Sequence, residues 1–408
     1  MPTVRPPSTP TAIPPTQTLV PTATPDPRGT LREQRLLATF QPSQIIQTNA
    51  RFYPQGTALP PKFAVDQYAI RYQSTDATGA PIDILAQLFL PKVDDATAAP
   101  VLVYGAGTTG LGDQCAPSRE QPTVRNWGDY LAHMLSYASQ GYIAILPDYA
   151  GFHDETQLQR YFIAESEGRV LLDAARAIYR FFDGDASPVT PEPGVFFAGY
   201  SQGGHAAFAA GDAAPHYAPD VPIKGVIGHG PATDVRALLK DGPYFAPYVL
   251  QSFADFYGTE AVDVTRIFQP RWLPTLAADV MSRCVDALAS YYGSDARQLY
   301  QPDFLNALYN ARLEESFPAL KDVLDRNSAG LVPSGVPALV LHGLADPFIS
   351  TRAQDAFIAK LCAADGQVTY LTYPNVHHFQ VRQVSFKDTL AWMDAIRSGG
   401  SPRSTCTA

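Results

Sequence analysis

The chain has 408 residues, of which 46% are hydrophobic, and its formal net charge is −9. A chain of this length can bury one large core and still supply a second small domain or a cap. The negative charge and the lack of a basic run argue against a nucleic acid as partner, because that binding depends on Lys and Arg neutralising phosphates. The sequence contains no apolar stretch of about 18 residues, so we expect no segment to span a bilayer.

The first thirty residues are dominated by Pro and Thr and contain almost nothing that a core could bury. We predict that residues 1–35 form a disordered stalk, which would suit a folded domain held away from a membrane or wall anchor. The alternative is an irregular N-terminal segment that has no such role. The stalk favours an extracellular protein, either secreted or tethered to the cell surface.

Four cysteines are present, without the spacing of a metal site: Cys115, Cys284, Cys362 and Cys406. They can form two disulfides in three different ways. We favour Cys115 with Cys284 and Cys362 with Cys406, because the second bond would attach the polar tail, residues 401–408, to the domain. Four buried free thiols in an intracellular enzyme are the alternative.

The patterns of secondary structure begin with two strands, residues 68–72 and 84–91, that predict an antiparallel hairpin opening the fold. Helical patterns and short apolar runs then alternate, and each run ends in Gly, Pro, Asp or Ser, as is typical of parallel strands buried on both faces. This order predicts an α/β fold with right-handed crossovers and a mainly parallel sheet between two layers of helices. The apolar runs are residues 100–107, 142–149, 195–201, 223–230, 338–346 and 368–374.

One interval breaks the alternation. About a hundred residues separate the run that ends near Gly230 from the run that begins near Ala338, which is too long for a loop. The interval is rich in helical patterns and in aromatic residues. We therefore predict a helical cap over residues 231–335, inserted into a core formed by residues 36–230 and 336–400. A few of the cap's aromatic side chains should face a substrate.

The segment Gly199-Tyr200-Ser201-Gln202-Gly203 fits the pattern G-x-S-x-G, with an apolar strand pattern before it and an Ala-rich helical pattern after it. In this context the pattern predicts a nucleophile elbow, a tight turn that holds a serine at the carboxyl end of the sheet. A serine hydroxyl is a weak nucleophile at neutral pH. A base must therefore remove its proton, and a third group must orient that base.

The order of the partners along the chain narrows the choice of acid and base, because in this fold the acid and then the histidine follow the serine. Asp346 ends an apolar run and is the predicted acid, while Asp355, within a helical pattern, is the second candidate. The order leaves His377 and His378, and we predict that His378 is the base. Neither a carboxylate nor a cysteine stands at ligand spacing from these histidines, so no metal is expected.

Hydrolysis by a serine also needs two backbone N–H groups that stabilise the oxyanion. One belongs to the residue after the nucleophile, Gln202, and the other to the glycine-rich loop of residues 105–110, where we predict Thr108. A loop that cradles phosphate is the alternative for this segment, but the lysine of a P-loop is missing.

Several of these motifs together resemble the secretory lipase family of the α/β-hydrolases, over residues 60–397. The resemblance implies a secreted carboxylic ester hydrolase with a helical cap over an acyl-binding tunnel, no metal or organic cofactor, and disulfides that agree with the favoured pairing. Family members often carry His-Gly-Thr at the oxyanion loop, where Ala106 replaces the histidine here without removing a backbone donor. The motifs are AGTTGLGDQCAPS (106–118), GYIAILPDYAG (141–151), LLDAARA (171–177), GYSQGG (199–204), HGLADPFI (342–349) and YPNVHHF (373–379).

We therefore predict a lipase or esterase, monomeric, that acts on a lipid, acyl or aryl ester or on a polyester and that contacts a lipid interface transiently. The same machinery can cut amides or transfer acyl groups, so a peptidase or an acyltransferase on this fold is one alternative. The other is a non-catalytic surface binding protein that keeps the scaffold.

Overall fold

The computed structural model describes Met1 and residues 26–406, except residues 55–56, 122, 185–186 and 333–334. Most of the predicted stalk therefore lies outside the described residues. The strands of the described part are β1 Leu31–Phe40, β2 Val65–Thr75, β3 Pro81–Pro91, β4 Thr97–Gly105, β5 Ile143–Pro147, β6 Val189–Tyr200, β7 Ile223–His229, β8 Ala338–Gly343 and β9 Val368–Tyr373.

These strands form one nine-stranded sheet in the described part of the chain, in the order β1-β2-β3-β5-β4-β6-β7-β8-β9. Strands β1, β2, β3 and β5 pair antiparallel, and the remaining neighbours, from β5 through β4 to β9, pair parallel. The central parallel strands are apolar and almost fully buried. The mainly parallel sheet confirms the predicted α/β class.

The helices cover the sheet and also fill the long interval between β7 and β8. Helices α3 and α4 pack against each other and against β2, β4, β6 and β7, while α2 and α16 contact β3, β5 and β7. The helix bounds are α1 Pro42–Phe52, α2 Tyr130–Ser139, α3 Ala164–Phe181, α4 Gln202–Tyr217, α5 Val235–Asp241, α6 Ala246–Tyr257, α7 Val264–Ile267, α8 Leu276–Ser282, α9 Val285–Tyr292, α10 Ala296–Leu299, α11 Pro302–Tyr309, α12 Leu313–Ser316, α13 Pro318–Arg326, α14 Thr351–Ala363, α15 Val381–Val384 and α16 Phe386–Arg397.

The N-terminal part of the sheet differs from the prediction. The expected hairpin is present as β2 and β3, but it does not open the fold, because β1 precedes it and pairs antiparallel with β2. Residues 31–35 of β1 lie inside the predicted stalk, so the boundary at residue 35 needs correction. Strand β1 is an edge strand with mostly exposed side chains. Backbone hydrogen bonding to β2 rather than burial defines it, and an apolar pattern does not reveal such a strand.

The segment between β7 and β8 is helical from α5 to α13 and contains a second cluster of buried side chains, separate from the core around the sheet. This segment is the candidate cap, predicted over residues 231–335. The disulfide between Cys115 and Cys284 connects it to the loop after β4, and the disulfide between Cys362 and Cys406 connects the C-terminal tail to α14. Both favoured pairings are confirmed. Among the described residues, no helix combines the length and apolar character that a membrane crossing requires.

Candidate active site

The turn at Ser201 connects the end of β6 to the beginning of α4. Its backbone has φ of 53° and ψ of −112°, a conformation that side chains rarely adopt and that surrounding structure must enforce. The N–H of Ser201 donates to the carbonyl of His229 at 3.0 Å. A Cβ on Gly203 would lie 1.9 Å from the carbonyl oxygen of Gly105, so only glycine permits this close approach of helix and strand. The turn has the form expected of a nucleophile elbow.

Asp346 and His378 meet beyond the carboxyl ends of β8 and β9. The Nδ1 atom of His378 donates to Oδ2 of Asp346 at 2.5 Å. The N–H groups of Phe348 and Ile349 donate to the other carboxylate oxygen, each at 2.9 Å. Both carboxylate oxygens of Asp346 therefore have hydrogen-bond partners, which hold the carboxylate against the imidazole.

The charge state of Asp346 follows from these contacts. Burial raises the pKa of its carboxyl, but His378 and the two backbone donors outweigh that effect, so the pKa lies below its ordinary value. An ionised carboxylate can only accept, which places a proton on Nδ1 of His378. The Nε2 atom of the neutral imidazole is then the one able to take up a proton.

The rival acid and base lie elsewhere. Asp355 stands on α14, where its carboxylate accepts from the hydroxyl of Tyr370 at 3.1 Å. His377 is exposed, and its Nδ1 lies 2.9 Å from the carbonyl oxygen of Ala345. The structure therefore brings His378, and not His377, to Asp346.

A further histidine approaches the same carboxylate. His342, on β8, is buried, and its Nδ1 lies 4.0 Å from Oδ2 of Asp346. Neither ring nitrogen has a hydrogen-bond partner among the described residues. Burial lowers the pKa of His342, so this imidazole is neutral near pH 7. Its position in the chain before the acid had excluded it from the prediction.

A cavity of about 490 Å³ lies beside Ser201 and His378 and receives side chains from both the core and the candidate cap. Two aromatic residues of the candidate cap, Tyr244 and Phe245, line this cavity. Aromatic rings form much of its wall, and they are Phe52, Trp127, Tyr200, Tyr244, Phe245, Phe348 and Phe379. The site can therefore hold an apolar or aromatic group next to the serine.

Thr108 lines the cavity together with Ser201, and Gln202 begins the helix behind it. Within the described ranges, neither the N–H of Thr108 nor that of Gln202 has a hydrogen-bond acceptor. The N–H of the preceding residue, Gly107, donates to the hydroxyl of Tyr130 at 2.7 Å. The two predicted oxyanion donors thus have no acceptor within the described part of the protein, and they lie in a loop that Tyr130 holds in place and at the start of α4.

Two buried charged residues beside the site were not predicted. Glu167, on α3, accepts from the side-chain amide of Gln202 at 2.7 Å and pairs with His205 on α4. Arg382, on α15, is 2% exposed and lines the cavity. No local pattern marks either residue, because each acts through partners that are distant in sequence.

Comparisons with known proteins agree with this architecture. A family model described as secretory lipase matches residues 130–404. The probable trichothecene esterase of Stachybotrys chartarum is 23% identical over 327 residues, which are 74% of this chain and 63% of that protein. The probable inactive lipase of Mycobacterium tuberculosis is 24% identical over 342 residues, 81% of this chain and 73% of that protein.

Solved structures give the same result for the fold. The rice cell wall degrading esterase LipA from Xanthomonas oryzae matches with a TM-score of 0.70 at 19% identity, over 90% of this chain and 96% of that one. At such identity the likeness establishes the fold, which confirms the predicted α/β-hydrolase architecture.

Proposed function

Because the chain belongs to the secretory lipase family, as its motifs had indicated, we propose that it hydrolyses carboxylic esters with Ser201 as nucleophile, His378 as base and Asp346 as acid. The observation that carries the proposal is the hydrogen bond between His378 and Asp346, at the cavity that Ser201 lines. The strained turn at Ser201 and the unoccupied donors on Thr108 and Gln202 support the same roles.

The reaction follows from this arrangement. His378 takes the hydroxyl proton of Ser201 as the serine oxygen bonds to the ester carbonyl carbon, and Asp346 stabilises the imidazolium. The carbonyl oxygen becomes an oxyanion that accepts from the N–H groups of Thr108 and Gln202. The carbon–oxygen bond of the ester then breaks, and His378 gives its proton to the departing alcohol. Water, deprotonated by His378, releases the acid from the acyl-enzyme.

The aromatic wall of the cavity supports an ester with an apolar acyl or aryl group. The proposed substrates are lipid esters, simpler acyl or aryl esters and polyesters, with transient contact at a lipid interface and a monomeric enzyme. The two disulfides and the family's description as secretory support an extracellular location. Tethering to a surface would use the residues that precede β1.

A non-catalytic binding role is the second candidate, and the similarity to a probable inactive lipase is the observation in its favour. A fluorophosphonate probe separates the two functions, because it bonds covalently only to a serine that a base activates. Labelling of the wild-type chain and its loss in Ser201→Ala would exclude the binding role.

The test of the proposed residues uses nitrophenyl esters from acetate to palmitate, with and without an oil interface. We expect Ser201→Ala, His378→Gln and Asp346→Asn each to lower kcat by about 10⁴-fold or more. The matched controls are His377→Gln and Asp355→Asn, which change the neighbouring histidine and the rival carboxylate and should keep wild-type turnover. Turnover by Ser201→Ala at the wild-type rate would end the proposal.

A further inference from the structure

Arg382 is a buried cation with few polar partners. Its Nη2 atom donates to the carbonyl of Gly128 at 2.6 Å, whereas Nε and Nη1 have no hydrogen-bond partner among the described residues. Among the residues that the structure describes, no carboxylate lies within ion-pair distance of the guanidinium. A guanidinium stays charged in a protein, and burying an unpaired charge is costly. Because this burial costs free energy of folding, we looked for a role of Arg382 other than packing.

Three aromatic rings surround the guanidinium instead. Its central carbon lies 4.3 Å from the ring centre of Tyr200, 4.8 Å from that of Phe52 and 5.2 Å from that of Tyr130. At these distances the electron-rich faces of the rings attract the cation, and the attraction is strongest where water is excluded. Arg382 and these three rings form the arginine box.

The arginine box contacts the proposed base and the residues next to the proposed nucleophile and to Thr108. Tyr200 precedes Ser201, and its ring lies 4.9 Å from the ring of His378. The hydroxyl of Tyr130 accepts from the N–H of Gly107, the residue before Thr108. His378 stands four residues before Arg382, in the short turn of helix that leads into α15. One cation is thus packed between the supports of the nucleophile, the base and the oxyanion loop.

A half-buried acid holds the loop whose carbonyl Arg382 binds. The carboxylate of Glu120 accepts from the N–H groups of Trp127, Gly128 and Tyr130 at 2.9, 2.7 and 2.6 Å. In this loop, Glu120 therefore binds three N–H groups, and Arg382 binds the carbonyl of Gly128. Because Trp127 and Gly128 line the cavity, this loop forms part of its wall.

We propose that Arg382 is a positioning residue, which fixes the oxyanion loop and His378 relative to each other by holding Tyr130 and Tyr200. The inference rests on the ester hydrolysis proposed above. Arg382 acts through its neighbours, so its loss should change the rate of the chemical step more than the binding of the ester. A displacement of about 1 Å at a reacting group can cost about 100-fold in rate.

The test compares Arg382→Met with wild type on one nitrophenyl ester, with active sites counted by a fluorophosphonate probe. We expect kcat per titrated site to fall about 10- to 100-fold, with KM within about 3-fold of wild type. Arg382→Lys keeps the charge but not the planar fork, so it should recover part of the rate. A residue that only stabilised the fold would lower the melting temperature and the titrated fraction, but not kcat per titrated site.

Arg176→Met is the matched control, because Arg176 is also a buried arginine but pairs with Asp173 and Asp220 away from the cavity. It should melt earlier and keep kcat per titrated site. Tyr130→Phe keeps the ring beneath the guanidinium and removes the hydroxyl that binds Gly107, so it should also lower kcat. If Arg382 acts through Tyr130, the two substitutions together should lower kcat by a smaller factor than the product of the factors measured for Arg382→Met and Tyr130→Phe alone.

Wild-type kcat per titrated site in Arg382→Met would overturn the inference while the proposed function stands. If that variant does not fold, wild-type kcat in both Arg382→Lys and Tyr130→Phe would overturn it equally. A wild-type chain that neither turns over esters nor reacts with the probe would refute the proposed function, and the role of Arg382 with it.

Discussion

Glu167 and His205 lie side by side in the interior, with the carboxylate Oε2 2.6 Å from Nδ1 of the imidazole. The other ring nitrogen of His205 lies 2.7 Å from the carbonyl oxygen of Asn327, where the candidate cap returns to the core. Both ring nitrogens of His205 therefore face oxygen atoms, so polar contacts hold the imidazole on two sides. The pair connects α4, which follows Ser201, to the end of the candidate cap.

Substitutions at Glu167 should separate hydrogen bonding from charge at this pair. Glu167→Gln can keep every hydrogen bond, since its oxygen can accept from Gln202 and Phe162 while its amide donates to a neutral His205. Glu167→Leu leaves these buried groups without a partner and should lower the free energy of unfolding by about 3–5 kcal/mol. We expect Glu167→Gln to cost no more than about 1.5 kcal/mol. Urea unfolding measures both, and equal losses would mean that the charge itself is required.

Gly230 should be intolerant of a side chain because the proposed base and acid, His378 and Asp346, lie beside it. Its φ is 52°, and a Cβ there would lie 3.1 Å from Nδ1 of His378 and 3.4 Å from Oδ2 of Asp346. We expect Gly230→Ala to displace the imidazole and to lower kcat by about 10- to 100-fold. Its backbone strain should cost about 1–2 kcal/mol of stability.

The control for Gly230→Ala is Gly79→Ala, at the tip of the hairpin between β2 and β3. Gly79 also has a positive φ, of 91°, but no described atom lies within 4 Å of an added Cβ. Gly79→Ala should therefore lose stability without losing kcat on a nitrophenyl ester. Unchanged kcat in Gly230→Ala would mean that the protein accommodates the added Cβ without displacing the imidazole of His378.

The sequence predicted those parts of the site that chain order and strand ends determine. Ser201 and Asp346 each follow an apolar strand, and only two histidines come after the acid, so local patterns sufficed to nominate them. Arg382 could not be found in this way, since its hydrogen-bond partner Gly128 is 254 residues away. Glu167 was missed for the same reason. An acidic residue in a helical pattern is expected to be exposed to water, and only the fold shows that Glu167 is buried against His205.

The disulfide between Cys115 and Cys284 should matter for activity as well as for stability. Cys284 precedes Val285, whose N–H donates to the carbonyl of Thr109 at 2.8 Å, next to the proposed oxyanion donor. The bond also closes a sequence separation of 169 residues. Replacing both cysteines by serine should cost about 5 kcal/mol of stability. It should also lower kcat per titrated site, because the candidate cap is no longer covalently bound to the loop that contains Thr109.

The second disulfide is the control for that prediction. It joins Cys362 to Cys406 over a separation of 44 residues, at the tail. Replacing Cys362 and Cys406 by serine should lower the melting temperature and leave kcat per titrated site unchanged. If the two double variants lose kcat to the same degree, the disulfide at the cap has no particular part in holding the oxyanion loop.

Acid should destabilise the protein through its buried neutral histidines. Burial, reinforced by the charge of Arg382, lowers the pKa of His229 to about 3. The unfolded chain takes up a proton at this position below about pH 6.5, whereas the folded chain does not until about pH 3. Between these values the unfolded state binds more protons, so the free energy of unfolding falls as the pH falls. One such group contributes a slope of at most about 1.4 kcal/mol per pH unit.

The slope of stability against pH in His229→Gln tests this assignment. Urea unfolding between pH 6.5 and 4.5 should give a shallower slope for His229→Gln than for wild type, whatever the variant's stability at pH 7. His216→Gln, at an exposed histidine of α4, should keep the wild-type slope, because water solvates that ring in both states. Equal slopes in His229→Gln and wild type would mean that the imidazole of His229 takes up its proton as readily in the folded protein as in the unfolded chain.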